Sequence, residues 1–158
     1  MKIGMKSYAA GAVALAMIAS GAIAQNAATI TTKTGQIGAP PAGKAQVVFF
    51  RPGTIFGVAL GCTVHESNRE VARLGAGKYY VVTEEPGIHK FSTHGQAADT
   101  LDLEIEADET YFVKCKIGSG VVSGAAQLEP SDRESFTKKA KGASEWTPSP
   151  NWQKEQGN

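Results

Sequence analysis

The stretch Leu-Asp-Leu-Glu-Ile-Glu at residues 101–106 has the most regular alternation of apolar and acidic side chains in the chain. Successive side chains of a β-strand point to opposite faces, so this pattern predicts a strand with one face in a core and one face in water. Apolar runs rich in β-branched and aromatic residues lie on either side of it, at residues 46–51 and 111–117. The central stretch therefore indicates a β-rich fold.

Seven or eight strands of this kind are predicted between residues 44 and 128, separated by glycine, proline, asparagine or aspartate. Such spacing is typical of an all-β fold, here an antiparallel β-sandwich of immunoglobulin-like or transthyretin-like form. The run at residues 46–51 contains four consecutive apolar side chains. It predicts a strand that is buried on both faces, because a strand with one wet face would alternate.

Three pairs of neighbouring strands are separated by short turns and are therefore hairpin candidates. If the strands at residues 101–106 and 111–117 pair, the three acidic side chains of the first strand face Lys114 and Lys116 across the sheet. Each such pair of side chains contributes about 0.2–1 kcal/mol to stability. The three pairs are residues 58–65 with 70–74, residues 79–83 with 88–93, and residues 101–106 with 111–117.

A short helix is predicted after Pro130, where Ser131 and Glu134 have the spacing of a capping box. Three lysines near its other end suit the negative pole of a helix, and Gly142 can end it. The chain is divided accordingly into a signal peptide at 1–24, a flexible leader at 25–43, a β-sandwich domain with a short C-terminal helix at 44–141, and a disordered or loosely docked tail at 142–158.

The N-terminal residues predict export. Lys2 and Lys6 precede a small or apolar run at residues 8–19, and Ala22 and Ala24 fit the rule for cleavage before the next residue. The run is shorter than the roughly 20 apolar residues of a membrane-spanning helix, so no transmembrane segment is expected after cleavage. No cysteine lies near the cleavage site for lipid attachment. The mature chain is expected to be periplasmic or secreted.

The two cysteines of the chain, Cys62 and Cys115, both lie on predicted apolar strand faces. Cys62 shares its face with Val58 and Leu60, which are therefore also expected to point inward. An even number of cysteines in an exported chain predicts one disulfide, with two inert buried thiols as the alternative. Two lone cysteines lack the close spacing of a metal site, and no metal or other cofactor is predicted.

Four short motifs, taken in order, resemble the bacterial domain of unknown function family 2846. The resemblance covers about residues 44–139 and implies a small exported or lipid-anchored protein with a compact β-sandwich. It implies no activity and no functional residues. The absent cysteine at the cleavage site departs from the lipid-anchored type. The motifs are VVFFRP at residues 47–52, G-x-x-Y at 77–80, P-G-x-H at 86–89 and TYFV at 110–113.

Charge and motif content exclude several functional classes. Sixteen basic residues balance fifteen acidic ones, whereas a nucleic-acid-binding domain is normally strongly basic. The sequence contains no nucleophile elbow and no phosphate-binding loop. Of the histidines His65, His89 and His94, the last two are five positions apart and point to opposite faces of one continuous strand. No catalytic residue is therefore assigned, and the chain is not expected to be an enzyme.

The favoured function is a non-catalytic binding or envelope-associated interaction module, with an envelope protein as its partner. Arg51 and Phe56 lie in a loop and belong to residue types enriched at interaction sites; in the alternative, Phe56 covers the end of the sandwich and Arg51 is solvated. Trp146 and Trp152 in the tail are expected to anchor either onto this domain or onto another protein. A small-ligand or metal-binding periplasmic protein is the second reading, and an enzyme of unknown type the third. The sequence does not indicate the oligomeric state.

Overall fold

The computed structural model describes residues 28–55, 58–93, 99–118 and 125–152. The predicted signal peptide, Phe56 and His94 lie outside these residues. No helix within the described ranges is long and apolar enough to cross a membrane. The elements of the described residues are β1 (Ile30–Thr31), β2 (Gln36–Ile37), β3 (Ala45–Phe50), β4 (Cys62–Glu66), β5 (Arg69–Leu74), β6 (Lys78–Glu84), β7 (Gly87–Thr93), β8 (Thr100–Ile105), β9 (Thr110–Ile117), β10 (Ala126–Ser131), α1 (Arg133–Ala140) and β11 (Ser144–Glu145).

Two sheets form the body of the molecule. One has five strands in the order β10-β9-β3-β6-β11, and the other has four in the order β5-β4-β7-β8. Most neighbours are antiparallel, but β3 pairs with β9 and β6 pairs with β11 in parallel. The predicted all-β sandwich is confirmed, with eight strands from β3 to β10 and one short C-terminal helix.

Strand β3 is buried along its whole length, as its continuous apolar sequence predicts. Val47 and Phe49 point into the core between the two sheets. Val48 and Phe50 point the other way, into a second core that is covered by Phe136 of α1. The five-stranded sheet is therefore apolar on both faces, because one face meets the other sheet and the opposite face meets the helix.

The leader differs from the flexible segment that its composition predicts. Strands β1 and β2 pair as a small antiparallel hairpin within residues 28–43. Ile30 and Ile37 are both buried in the second core beside α1. The Thr32 hydroxyl also forms a 3.0 Å hydrogen bond with the Tyr79 hydroxyl. Two isolated isoleucines are enough to dock this hairpin, although they give no periodic pattern in the sequence.

Of the three predicted hairpins, only the one between β4 and β5 forms. The strand predicted at residues 58–65 begins only at Cys62, so Val58 and Leu60 lie in a loop, exposed by 60% and 42%. The prediction that these two side chains face inward is wrong. The alternating sequence begins at residue 58, four residues before the point at which the strand has a hydrogen-bonded partner.

The other two predicted pairings are wrong. Strands β6 and β7 belong to different sheets, and β7 pairs with β4 and β8. Strand β9 lies between β3 and β10 and does not pair with β8. Lys114 and Lys116 consequently contact Glu129 of β10 at 2.8 and 3.5 Å, whereas Asp102 lies 3.6 Å from Lys90. Both connections therefore cross from one sheet to the other.

Helix α1 begins one residue later than the predicted capping box. Asp132, not Ser131, is the N-cap, and its carboxylate accepts a 2.8 Å hydrogen bond from the Ser135 amide. Asp and Ser satisfy the free amides of a first turn equally well, so either residue fits the position by type.

Candidate functional site

The sandwich has two ends with different chemistry. At one end, the connection between β3 and β4 lies beside the turn between β5 and β6, because the Arg51 amide donates to the Lys78 carbonyl at 2.8 Å. At the other end, Glu66 pairs with Arg69 across the β4–β5 turn. We call residues 52–61 the apolar loop, and Glu66, Arg69, Glu84 and His89 the charged cluster.

The apolar loop exposes aliphatic side chains to solvent. Ile55 is 89% exposed, and Val58 and Leu60 are exposed as well. Arg51 at the start of the loop is only 2% exposed, and its guanidinium donates a hydrogen bond to the Leu60 carbonyl at the loop's far end. A buried arginine thus ties the two ends of the loop together.

The two predicted interaction residues of this loop, Arg51 and Phe56, have different outcomes. Arg51 is neither solvated nor available to a partner, since it is buried beneath the loop. Phe56 lies outside the described residues, and its neighbour Ile55 is 89% exposed. Arg51 therefore supports the loop, and the aliphatic residues form its surface.

The tryptophans of the tail lie on this domain. Strand β11 adds to the edge of the five-stranded sheet beside β6. The Trp146 ring packs edge-on against Tyr80 and Trp152, with ring centres 5.1 and 5.4 Å apart. The Trp152 indole donates a 2.9 Å hydrogen bond to Glu70. Within the described residues, the first of the two alternatives for these side chains is the one observed.

The predicted disulfide between Cys62 and Cys115 is present. It joins β4 of one sheet to β9 of the other, with 6.5 Å between the Cα atoms. Both residues are almost fully buried in the core between the sheets. Because Cys62 directly follows the apolar loop, the bond also fixes the end of that loop to the sandwich.

The charged cluster lies at the opposite end of the molecule. His89 Nδ1 is 2.6 Å from Glu66 Oε1 and 3.8 Å from Glu84 Oε2. The other ring nitrogen, Nε2, lies 2.8 Å from the Glu85 carbonyl oxygen. Arg69 contacts the remaining carboxylate oxygens, Glu66 Oε2 at 2.5 Å and Glu84 Oε1 at 3.4 Å. Two carboxylates therefore share one imidazole and one guanidinium.

The two carboxylates have shifted pKa values of opposite direction. Burial raises the pKa of Glu84 and repulsion from Glu66 raises it further, while Arg69 and His89 offset these two effects only in part. Burial also opposes ionisation of Glu66, but the hydrogen bonds and the charges of His89 and Arg69 together outweigh it and lower its pKa. Glu84 is thus the member of the cluster whose charge is least well compensated.

A family model described as protein of unknown function (DUF2846) matches residues 41–126, more than half of the chain. The chain belongs to the DUF2846 family. The match includes the disulfide, the apolar loop and the charged cluster of this DUF2846 protein, and it confirms the family resemblance of its sequence motifs. Comparison with curated proteins gave no match.

Sequence reasoning did not find the charged cluster of the DUF2846 protein. Glu66 and Glu84 directly follow two predicted strands, and no sequence pattern pairs either of them with His89. The cluster exists because β4 and β6 end, and β7 begins, near one another, and the sequence alone does not reveal these neighbours. The only signal was the short spacing of Glu84, Glu85 and His89 around that turn.

A small cleft lies between the start of the apolar loop and the end of α1. Phe50, Arg51 and Phe136 line it, together with Lys139, and its volume is about 170 Å³. Pockets that enclose a drug-sized ligand usually have at least about 300 Å³. The cleft is therefore too small to favour a small-molecule site of that kind.

Proposed function

We propose that this DUF2846 protein is an exported, non-catalytic binding module that holds a partner protein of the cell envelope on its apolar loop. One observation carries the proposal. Among the described residues, four large apolar side chains are exposed, and three of them, Ile55, Val58 and Leu60, lie on this loop. Apolar side chains grouped in this way are typical of interaction sites, whereas single ones are ordinary.

The anchoring of the loop supports a protein as the partner. The buried Arg51 joins the loop's start to the Leu60 carbonyl, and the disulfide fixes Cys62 immediately after it. A loop whose two ends are anchored loses less conformational entropy when it binds a surface of complementary shape. Insertion into lipid does not need such anchoring, so this feature favours a protein groove over a membrane.

Chemistry supports binding rather than catalysis at this loop. Ile55, Val58 and Leu60 supply no nucleophile, acid or base. Export is supported by the signal-like N-terminus and by the disulfide, since such bonds persist mainly outside the cytoplasm.

Substitution of the loop surface tests the function. The full chain, with its signal, is expressed in its host with Ile55→Ser and Leu60→Ser, and envelope proteins are captured on it after export. We expect the yield of the specific partner to fall at least about tenfold, because each aliphatic side chain buried in an interface contributes about 1.5–3 kcal/mol. The free energy of unfolding should change by less than about 0.5 kcal/mol, because both side chains are exposed.

Ile88→Ser is the matched control. It removes the fourth exposed apolar side chain, 79% exposed on β7, and should leave capture unchanged. Equal partner yields from the double variant and the unaltered chain would contradict the proposal, as would an equal loss in the control. Binding to vesicles of the host's phospholipids without capture of any protein would also overturn it, since the loop would then bind membrane.

A further inference from the structure

Three ligand-type atoms of the charged cluster converge on one point. One nitrogen or oxygen each from His89, Glu66 and Glu84 lies within 4.8 Å of the other two. Ligand atoms that bind a tetrahedral zinc ion at about 2.0–2.1 Å lie about 3.3 Å from one another. The distances from His89 Nδ1 to Glu66 Oε1 and Glu84 Oε2, 2.6 and 3.8 Å, lie on either side of that value. Small side-chain rotations would bring these two distances to it, and the two carboxylate oxygens lie within 4.8 Å of each other.

The histidine is oriented as a metal ligand requires. A carbonyl oxygen only accepts hydrogen bonds, so the Nε2 atom of His89 must donate its hydrogen to the Glu85 carbonyl. The other ring nitrogen, Nδ1, faces the two carboxylates and is hydrogen-bonded to Glu66 Oε1, and a cation bound there would displace the hydrogen between these two atoms. Histidines that bind metals in proteins usually donate their other ring hydrogen to a carbonyl or carboxylate in this way.

The arginine occupies the oxygens that face away from the histidine. Arg69 contacts Glu66 Oε2 and Glu84 Oε1, whereas Glu66 Oε1 and Glu84 Oε2 face His89. The Arg69 side chain is 55% exposed and lies on the solvent side of the cluster. Arg69 can therefore hold both carboxylates in place and leave one oxygen of each for a cation.

The burial of Glu84 is a second observation that points to a cation at this cluster. Its side chain is only 9% exposed, and its Oε2 atom accepts no hydrogen bond from any residue in the described parts of the chain. A buried carboxylate oxygen without a donor is costly, so native proteins rarely leave one unsatisfied.

We propose that Glu66, Glu84 and His89 form a binding site for a divalent transition-metal ion of the Zn²⁺ type. Imidazole together with carboxylates suits Zn²⁺ better than Mg²⁺ or Ca²⁺, which prefer sites made of oxygen alone. The site lies at the end of the sandwich opposite the apolar loop. The metal site and the proposed partner binding are therefore tested independently of each other.

Isothermal titration calorimetry with Zn²⁺ tests the site in the exported full chain, after treatment with EDTA and dialysis. We expect saturation at one Zn²⁺ per chain, with Mg²⁺ giving no comparable binding. Glu84→Gln and His89→Gln should each weaken Zn²⁺ binding at least about tenfold, since each removes a ligand while largely keeping the side chain's size.

Two variants control for nonspecific binding. His65→Gln and Glu104→Gln make the same chemical changes outside the cluster, and should bind Zn²⁺ as the unaltered chain does. Circular dichroism shows which variants fold. If one of the two cluster variants does not fold, the other one still tests the site. The absence of saturable Zn²⁺ binding would overturn the site, as would unchanged binding in the folded cluster variants or an equal loss in His65→Gln.

Discussion

Truncation of Phe136 to alanine is expected to lower the free energy of unfolding by about 3–5 kcal/mol. Phe136 is fully buried, and its ring packs against Phe50, Tyr79 and Phe112, with ring centres 5.1, 5.7 and 5.7 Å away. The substitution would leave a cavity between α1 and the five-stranded sheet. Urea denaturation followed by circular dichroism measures the change.

Lys138→Ala is the control on the same helix. Lys138 is exposed and forms one surface ion pair with Glu134, so its loss should cost less than about 0.5 kcal/mol. A loss of less than about 1 kcal/mol in Phe136→Ala would show that the helix and the β1–β2 hairpin do not form a cooperative layer with the sandwich.

Removal of the disulfide by Cys62→Ala with Cys115→Ala should lower the free energy of unfolding by about 4 kcal/mol. The two cysteines are 53 residues apart, so the bond removes a large loop-closure entropy from the unfolded chain. The same denaturation experiment measures this effect. Reduction of the unaltered protein should reproduce most of it, because the substituted side chains are small.

Alkylation of the exported protein, unfolded in urea without reductant, provides the check on this prediction, because urea exposes any buried free thiol. Cys62 and Cys115 should take up no label until a reductant is added. Labelling of both thiols before reduction would contradict the disulfide in the exported protein, and so would a double variant as stable as the unaltered chain.

The sequence predicts the strands of this protein better than their partners. The continuous apolar run in β3 correctly indicates burial on both faces, and the alternation at residues 101–106 corresponds to β8. Alternation reports which side chains are buried, but it does not report which strands lie side by side. The β6–β7 connection therefore resembles a hairpin in sequence, although it crosses from one sheet to the other.

The candidate sites could be predicted only in part, because the sequence does not show which strands are neighbours. The apolar loop could be located from the residues that follow β3, but the role of Arg51 depends on the position of the Leu60 carbonyl, which no pattern gives. The charged cluster needs the ends of three strands to meet, with Glu84 on one sheet and Glu66 and His89 on the other. Long-range contacts of this kind require the sheet order to be known first.

The docking of residues 28–43 and of the described part of the tail could not be predicted from the sequence either. Ile30 and Ile37 are single apolar residues within a polar leader, and Trp146 follows a strand of only two residues. Neither segment is long enough to show a period of strand or helix. Their positions depend on the surfaces of the sandwich to which they dock, which are the second core beside α1 and the β6 edge of the five-stranded sheet.

Photo-crosslinking from position 55 tests the proposed binding role most directly. A photoreactive benzophenone amino acid replaces Ile55 in the exported chain, and intact host cells are irradiated. We expect one discrete adduct with an envelope protein, absent when the same amino acid replaces the exposed Glu104 on β8. Equal adducts from both positions, or adducts from position 55 only with lipid or with a second copy of this chain, would contradict a protein-binding loop.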